Sequence, residues 1–419
     1  MNTFDRKALG EQSAASTEEQ FGLQPSEVFE LPPDQIFHRL LVNAQCLNST
    51  DLFVLAKEHH YQISVRRMGA MEQLLAVPND MGTLLVNYVR AQSGMDISKK
   101  QEPADGRWLY EHEGASFDLR VNSVGTLWGE DVAIRLSPKQ SDTKKLDELG
   151  FVGNQKATIS HMVGSSSGLV LVAGPTGSGK TTTLYALLDL LNDGTRKINT
   201  LEDPIEYSVP GLCQTEINEK RALTFSMLLR GILRQSPDVI MIGEIRDEET
   251  AGIAVRAANS GHLVLSTVHS PTAVTAILSM KAMKVNPVFL ASSIIGVVSQ
   301  RLIRLLSEES KIKFEANEAL AAFDNVSAYL GEEEGLALYG PNKKDEKSQG
   351  GYSHLSGLFE VLSIGRQMKK AIAAGASEDE LTRLAKDDGM LSFQDAGLIK
   401  VAKGTTSLEE VMRVLPQFD

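Results

Sequence analysis

From Pro32-Pro33-Asp34, a helix-start signal, the chain carries Ile36, Phe37, Leu40, Leu41 and Ala44 at helical spacing. Residues 1–32 are polar and rich in Ser, Glu and Gln, which reads as a flexible N-terminal arm. Beyond Asp51 the period changes. Gln62-Ile-Ser-Val-Arg66, Phe117-Asp-Leu-Arg-Val121 and Asp131-Val-Ala-Ile-Arg135 alternate as half-buried strands do, and Asp80 to Arg90 reads as a helix ending near Gly94. Residues 33–136 therefore predict a small α+β domain with largely local pairing, followed by a charged linker over 137–150. The pattern then shifts again. Gly168-Leu-Val-Leu-Val-Ala173, Asp238-Val-Ile-Met-Ile242 and His262-Leu-Val-Leu-Ser266 are continuous apolar runs with helical patterns between them. Such strands belong to a parallel sheet covered on both faces, so 151–306 predicts an α/β core. After Leu306 helices dominate, and 307–419 is expected to be mostly helical with a charged loop or insertion near 315–351.

Composition narrows the class. The chain has 419 residues, 42 basic and 54 acidic side chains and a net charge of −12, with 42% hydrophobic residues to build a core. Self-repulsion at an acidic surface opposes non-specific binding to nucleic acid or anionic membrane. The most apolar stretch, Val288 to Val298, is interrupted by Ser292, Ser293 and Gly296 and falls short of the roughly 18 residues a bilayer span needs. No apolar segment follows the first charged residues, so a signal peptide is not expected. Cys46 and Cys213 are too few for a disulfide framework or a four-thiolate zinc site, and read as ordinary thiols in a reducing compartment. These features describe a soluble cytoplasmic protein.

One motif carries specific chemistry. Gly174-Pro175-Thr176-Gly177-Ser178-Gly179-Lys180-Thr181, with Thr182 next, matches G-x-x-x-x-G-K-[ST] between an apolar strand and the helical pattern Leu184–Leu191. Glycines let backbone N–H groups turn inward onto phosphate oxygens, and the helix adds the positive end of its dipole. Lys180 would reach the β- and γ-phosphates of a nucleotide, and the Thr181 hydroxyl would bind Mg²⁺.

Three more clusters fall where neighbouring strands should end, the edge at which open α/β sheets place ligands. Thr200-Leu-Glu202-Asp203-Pro-Ile-Glu206-Tyr207 supplies three carboxylates able to hold a metal-bound water or activate an attacking one. Asp238-Val-Ile-Met-Ile-Gly243-Glu244 has the position of a Walker B strand, but Gly243 replaces the usual Asp and Glu244 is the first carboxylate. Gly261-His262-Leu-Val-Leu-Ser-Thr267-Val-His269 ends with groups able to report on a γ-phosphate. Arg230 and Arg234 lie four apart, one face of a helix, while Arg120 and Arg135 stand on strands of the small domain; guanidinium groups stabilise charge on phosphate and can act across a subunit boundary.

In fixed order, the phosphate loop, Thr200–Tyr207, Leu233–Asp247 and Gly261–His269 resemble the secretion ATPases of type II secretion and type IV pilus assembly, a likeness running from about Thr50 to the end. Pro103-Ala-Asp-Gly-Arg107 resembles that family's P-Q-D-G-R, and Gly404-Thr-Thr-Ser-Leu-Glu-Glu-Val411 its C-terminal helical region. The resemblance implies a RecA-like P-loop core with a parallel-containing sheet, a small α+β (PAS-like) domain before it and a helical C-terminal region after it. It also implies a cytoplasmic homohexamer docked at the inner membrane through a platform protein, its ATP and Mg²⁺ held between the small domain and the core. In such rings Glu206 would activate water, while Glu202, Asp203 and Glu244 tune Mg²⁺ and water, with Thr181 and Glu244 as metal ligands. His262 and His269 would couple phosphate state to movement. Arg120, Arg135, Arg230 and Arg234 would contact phosphates, some from a neighbouring subunit.

Several positions depart from the family. Leu306-Ser-Glu-Glu-Ser310 stands where the first of two CxxC pairs would fall and no cysteine follows Cys213, so no zinc is expected. Ser270-Pro-Thr-Ala273 replaces T-N-D-A and Asp51-Leu-Phe53 replaces D-I-H, and a counterpart of the long N-terminal docking domain of assembly members is not expected. The expected function is an ATP-hydrolysing motor of fibre assembly or disassembly. Two alternatives are a non-hydrolysing, ATP-gated scaffold of the same machine and a RecA-type nucleic-acid ATPase; the acidic charge and 6% aromatic content speak against the latter.

Overall fold

The computed structural model of the chain describes residues 31–100, 102–112, 115–138, 144–218, 221–315, 320–345 and 348–415. The arm expected over 1–32 lies outside the described residues apart from Leu31 and Pro32, as do 139–143 of the linker and 316–319 and 346–347 of the expected insertion. Contacts divide the chain at Ser141 into two units.

The first unit opens with α1 (Pro33–Cys46), whose proline sits at a first-turn position where the missing N–H has no partner to lose. Six strands follow, β1 (Asp51–Ala56), β2 (His60–Arg67), β3 (Ala70–Pro78), β4 (Ala104–His112), β5 (Ala115–Thr126) and β6 (Gly129–Pro138), with α2 (Asn79–Gln92) between β3 and β4. They form one antiparallel sheet in the order β3-β2-β1-β6-β5-β4. Leu52, Val54, Ile63, Val65, Val132 and Ile134 face inward and share a core with Ile36, Phe37 and Leu40 of α1 and Leu85, Val86 and Val89 of α2. Gly82 lets α2 settle directly on the Tyr61 ring, where a Cβ would clash. The sequence pattern marks β2, β5 and β6. β3 ends in four consecutive buried residues and β4 opens on Ala-Asp-Gly-Arg, so neither shows the period-2 signature over its length.

In the second unit the main sheet comprises β7 (Gly168–Ala173), β8 (Ile198–Glu202), β9 (Cys213–Glu216), β10 (Val239–Ile242), β11 (Leu263–Val268), β12 (Ile294–Leu306) and, skipping a separate two-stranded ribbon of β13 (Ile312–Glu315) and β14 (Ala337–Gly340), β15 (Tyr352–Ser363). Its order is β15-β12-β7-β11-β10-β8-β9, and every neighbouring pair is parallel except β12–β15. Both faces are covered, which explains the unbroken apolar runs. Val170, Val172, Met241 and Leu265 pack with α3 (Gln155–Val163) and α4 (Lys180–Leu191). Leu169, Leu171, Ile240, Ile242 and Val264 pack on the other side with α5 (Phe225–Ile232), α6 (Glu248–Asn259), α7 (Ala273–Ala282) and α8 (Pro287–Ser293).

The C-terminal region differs in one respect from its sequence reading. Helices dominate it only from Arg366, as α9 (Arg366–Ala374), α10 (Glu378–Asp387), α11 (Phe393–Ala402) and α12 (Leu408–Val414). Ahead of them β15, twelve residues long, pairs with β12 as the edge strand of the main sheet. Its apolar run is broken by Glu360, and its pairing spans some fifty residues of chain, so no local period announces it. The apolar stretch around Val288–Val298 likewise divides into α8 and the start of β12.

Candidate functional site

The phosphate loop joins β7 to α4 at the carboxyl end of the parallel strands. Its backbone geometry depends on glycine. Gly174, Gly177 and Gly179 have φ of 151°, 76° and 85°, values L side chains rarely adopt. A Cβ on Gly174 would meet the Gln300 carbonyl at 2.6 Å, whereas around Gly177 nothing stands within 4 Å. Pro175, Thr176, Gly177 and Thr181 are exposed and Thr182 half-buried, while Ser178 is buried. The loop is thus anchored on one side and open on the other, a cradle of backbone N–H groups at a helix N-terminus that fits phosphate. Lys180 donates to the carbonyls of Gly174 at 2.9 Å and Pro175 at 3.0 Å. Burial lowers its ammonium pKa, Glu244 raises it and Arg301 adds to the lowering.

Gln300, in β12, supports the loop from beneath. It is 1% exposed and donates to the Ser178 carbonyl at 2.6 Å. Sequence reasoning missed it. A signal existed, since Ser299-Gln300-Arg301 breaks the apolar run that precedes it in the strand, and buried polar side chains need a partner.

The end of β10, the strand in the Walker B position, is held on both sides. Gly243 N–H donates to Leu201 of β8 at 2.7 Å, and its carbonyl accepts from the Thr267 hydroxyl of β11 at 2.7 Å. A Cβ there would stand 3.1 Å from the Leu201 carbonyl, a tight approach that favours glycine at this position. Thr267 is therefore engaged with backbone. Glu244 follows, its side chain 14% exposed, paired with Arg246 and with His269 Nε2 at 3.3 Å. Arg246 also approaches Asp203 at 4.0 Å. Lys180, Glu244, His269, Arg246 and Asp203 thus gather at one edge, and a hydroxyl (Thr181) and a carboxylate (Glu244) are of the right type for Mg²⁺.

Glu202 has a different position. It ends β8, is 3% exposed, and accepts from the Tyr185 hydroxyl of α4, from Thr200 at 2.5 Å and from Gln214 at 3.1 Å. Burial, with the Glu202 carboxylate next, pushes the Tyr185 phenol well above its ordinary range, so it stays a donor. With both oxygens taken, Glu202 braces the segment that follows. Tyr207 stacks on Tyr185 at 4.4 Å, and the Glu206 backbone hydrogen-bonds the same phenol, fixing half-buried Glu206 four residues past the strand.

Other expected residues lie elsewhere. His262 precedes β11 at the opposite edge of the sheet. Its carbonyl accepts from Gly168 N–H and its Nδ1 lies 3.0 Å from the Ala257 carbonyl, so the length of a six-residue strand, about 20 Å, separates it from the phosphate loop of the same chain. Arg230 and Arg234 do not share a helix face, because α5 ends at Ile232 and Arg234 lies in the turn beyond. Arg230 pairs with Glu249 of α6 at 2.6 Å. Arg120 and Arg135 belong to the first unit and stand opposite each other across β5 and β6. They are the centre of a cross-strand row, Arg66, Asp51, Arg135, Arg120 and Arg107. Like charges in register repel; Asp118 holds Arg107 through two bonds of 2.8 and 2.6 Å, and Asp51 lies 3.5 Å from Arg66. Cys46 and Cys213 are exposed, and among the described residues no helix is long and apolar enough to cross a membrane.

The sequence model of the family described as Type II/IV secretion system protein matches residues 31–413. The type II secretion system protein E of Pseudomonas aeruginosa is 39% identical over 385 residues, covering 92% of this chain and 76% of its own. The type II secretion system ATPase E of Vibrio cholerae is 37% identical over 386 residues, with 92% and 76% covered. Among solved structures, the Legionella pneumophila ATPase DotB superposes with a TM-score of 0.68 at 20% identity over 91% of this chain and 95% of its own, a likeness of fold. A glycine-built phosphate cradle, a carboxylate–histidine pair at the same sheet edge and a family match over almost the whole described chain converge: the chain belongs to the type II/IV secretion system protein family, a family of secretion and pilus ATPases.

Proposed function

We propose that this chain is the ATP-hydrolysing motor subunit of a type II secretion or type IV pilus system. It works as a cytoplasmic homohexamer docked at the inner membrane through a platform protein, and drives assembly or disassembly of a fibre. The observation that carries the reading is the gathering of Lys180, Glu244 and His269 at the mouth of the phosphate loop.

In this reading Gly174 to Thr182 grip the triphosphate, and Lys180 exchanges its loop carbonyls for phosphate oxygens. Thr181 and Glu244 would hold Mg²⁺, which when bound neutralises charge on the phosphates. Glu206 orients and deprotonates the attacking water. Glu202 and Tyr185 keep Glu206 in place, and Asp203 steadies Arg246. His269, bonded to Glu244, senses whether the terminal phosphate is present. Arg120 and Arg135, supplied by a neighbouring subunit, and Arg230 complete the charge around it. His262 and Arg234 act, if at the nucleotide, across a subunit boundary.

The test is phosphate release and nucleotide binding by the purified full chain. Lys180→Ala should abolish nucleotide binding. Glu206→Gln should bind Mg·ATP as the wild type does and turn over about 10²–10⁴-fold more slowly, the usual contribution of a general base. Wild-type turnover in Glu206→Gln would remove it from that role, and no phosphate release by the wild-type chain would replace the motor with an ATP-gated scaffold.

A further inference from the structure

Two buried ionisable side chains of the second unit take no part in the chemistry above. Glu360 lies in β15 and is 6% exposed; Arg301 lies in the adjoining β12 and is 8% exposed. Burying a charge is costly unless its polar atoms are answered. Here the partners come from three separate parts of the chain. One Glu360 oxygen accepts the N–H of Ala273, the first residue of α7, at 2.9 Å, and the other accepts the N–H of Phe393, the first residue of α11, at 3.4 Å. A single carboxylate therefore caps two helix N-termini, where unpaired N–H groups and the helix dipole favour negative charge. Arg301 donates to the Pro271 carbonyl at 2.6 Å and to the Gln300 carbonyl at 3.1 Å, and its guanidinium lies 5.1 Å from the centre of the Phe393 ring.

The two ends of this arrangement differ in kind. Pro271 lies in the loop that leaves His269, whose ring faces Glu244, and Ala273 begins the helix that follows this loop. Gln300, next to Arg301, holds the phosphate loop through Ser178. Phe393 opens a helix of the C-terminal region that supplies none of the phosphate-side residues. Both side chains grip both ends: Glu360 by two N–H groups, Arg301 by a carbonyl at one and an aromatic ring at the other. Burial leaves little water to substitute for a lost partner, so displacing the loop must either carry the α11 N-terminus along or break buried bonds.

We propose that Glu360 and Arg301 are positioning residues that couple the loop 269–273 to the N-terminus of α11, passing a change at the phosphate edge to the C-terminal helices. The inference rests on the motor reading, which makes bound nucleotide the cause of the loop's displacement.

Backbone hydrogen exchange of the full chain, with and without Mg²⁺ and a slowly hydrolysed ATP analogue, tests it together with phosphate release and calorimetric nucleotide affinity. In the wild type, nucleotide should alter exchange both at 269–275 and at 392–397. In Glu360→Gln, affinity and the response at 269–275 should persist, the response at 392–397 should vanish, and turnover should fall about tenfold, a typical allosteric coupling. A purely structural role would shift exchange equally with and without nucleotide. Arg301→Lys, which keeps the charge but loses the planar fork, should behave alike and serves if Glu360→Gln fails to fold. A wild-type response confined to 269–275, or none at either segment despite binding, overturns the proposal while leaving the motor intact; so does a variant that keeps both responses and full turnover. Absence of nucleotide binding to the wild type instead defeats the motor reading, and the coupling with it.

Discussion

Lys180 and Lys400 show how position decides what one side-chain type does. Lys180 stands at the open mouth of the phosphate loop, where its ammonium can exchange carbonyl partners for an anion. Lys400, in α11, is 6% exposed, and its hydrogen bond is to the Ser356 hydroxyl at 3.3 Å. Burial, reinforced by Lys403, pulls its pKa down to about 8 from an ordinary 10.5. Below pH 8 the ammonium is charged in both folded and unfolded chains, and folding bears the cost of burying it. Between about 8 and 10.5 only the unfolded chain holds the proton, so stability rises with pH across that window. Lys400→Met should therefore be more stable than the wild type at pH 7, by up to about 3 kcal/mol. The gap should close as pH approaches 10.5, measured by denaturant unfolding at each pH. Carboxylates follow the same rule of position: Glu202, Asp203 and Glu206 are close neighbours in sequence, yet Glu202 is buried and saturated while Asp203 is exposed.

At the scale of elements, helices are attached to the main sheet through charged anchors as well as apolar faces. Glu410, at the first turn of α12, is fully buried and receives two bonds from the Arg304 side chain of β12, a third from the Arg304 backbone and two from Arg413. Burial alone would raise its pKa, but Arg413 and Arg304 outweigh it and hold the carboxylate below its ordinary value. The stability it contributes is present above the ordinary carboxylate pKa and is lost as pH falls through the depressed one. Glu410→Gln should cost about 1–3 kcal/mol at pH 7, because it removes the charge that answers the partly buried Arg304, exposed Arg413 losing less to solvent, and should lessen the acid sensitivity of unfolding. Urea titrations at pH 7 and pH 4 check both. The same scale explains which elements were legible. β7, β10 and β11 announce themselves because each is buried on both faces. β15 and β12 escape because their polar members, Glu360 and Gln300-Arg301, bond to partners 30 to 120 residues away, information no local window contains.

On the scale of the whole molecule, the expected sharing of a site between subunits has a direct consequence. If Arg135 serves a neighbour's nucleotide, Lys180→Ala and Arg135→Ala chains, each inactive alone, should regain measurable phosphate release when mixed and reassembled. Some sites then combine an intact Lys180 from one chain with an intact Arg135 from the next. Mixtures as inactive as their components would place the arginine in the same chain as the lysine it serves. His262 belongs to this scale too. Its neighbourhood in sequence to His269 suggested a common role, but a parallel strand carries the two to opposite edges of the sheet.

By itself the sequence determined the phosphate loop, because glycine spacing, lysine and hydroxyl are local requirements of a strand–loop–helix turn. It likewise determined the α/β alternation and the family, through several motifs in fixed order. Tertiary structure alone decided which acid is sequestered, which histidine faces Glu244, which arginines stand in register across the first sheet, and which buried residues join the phosphate edge to the C-terminal helices. The physical reason is range: backbone conformation and periodicity are set by neighbours along the chain, whereas burial and charge pairing are set by whatever the fold brings alongside.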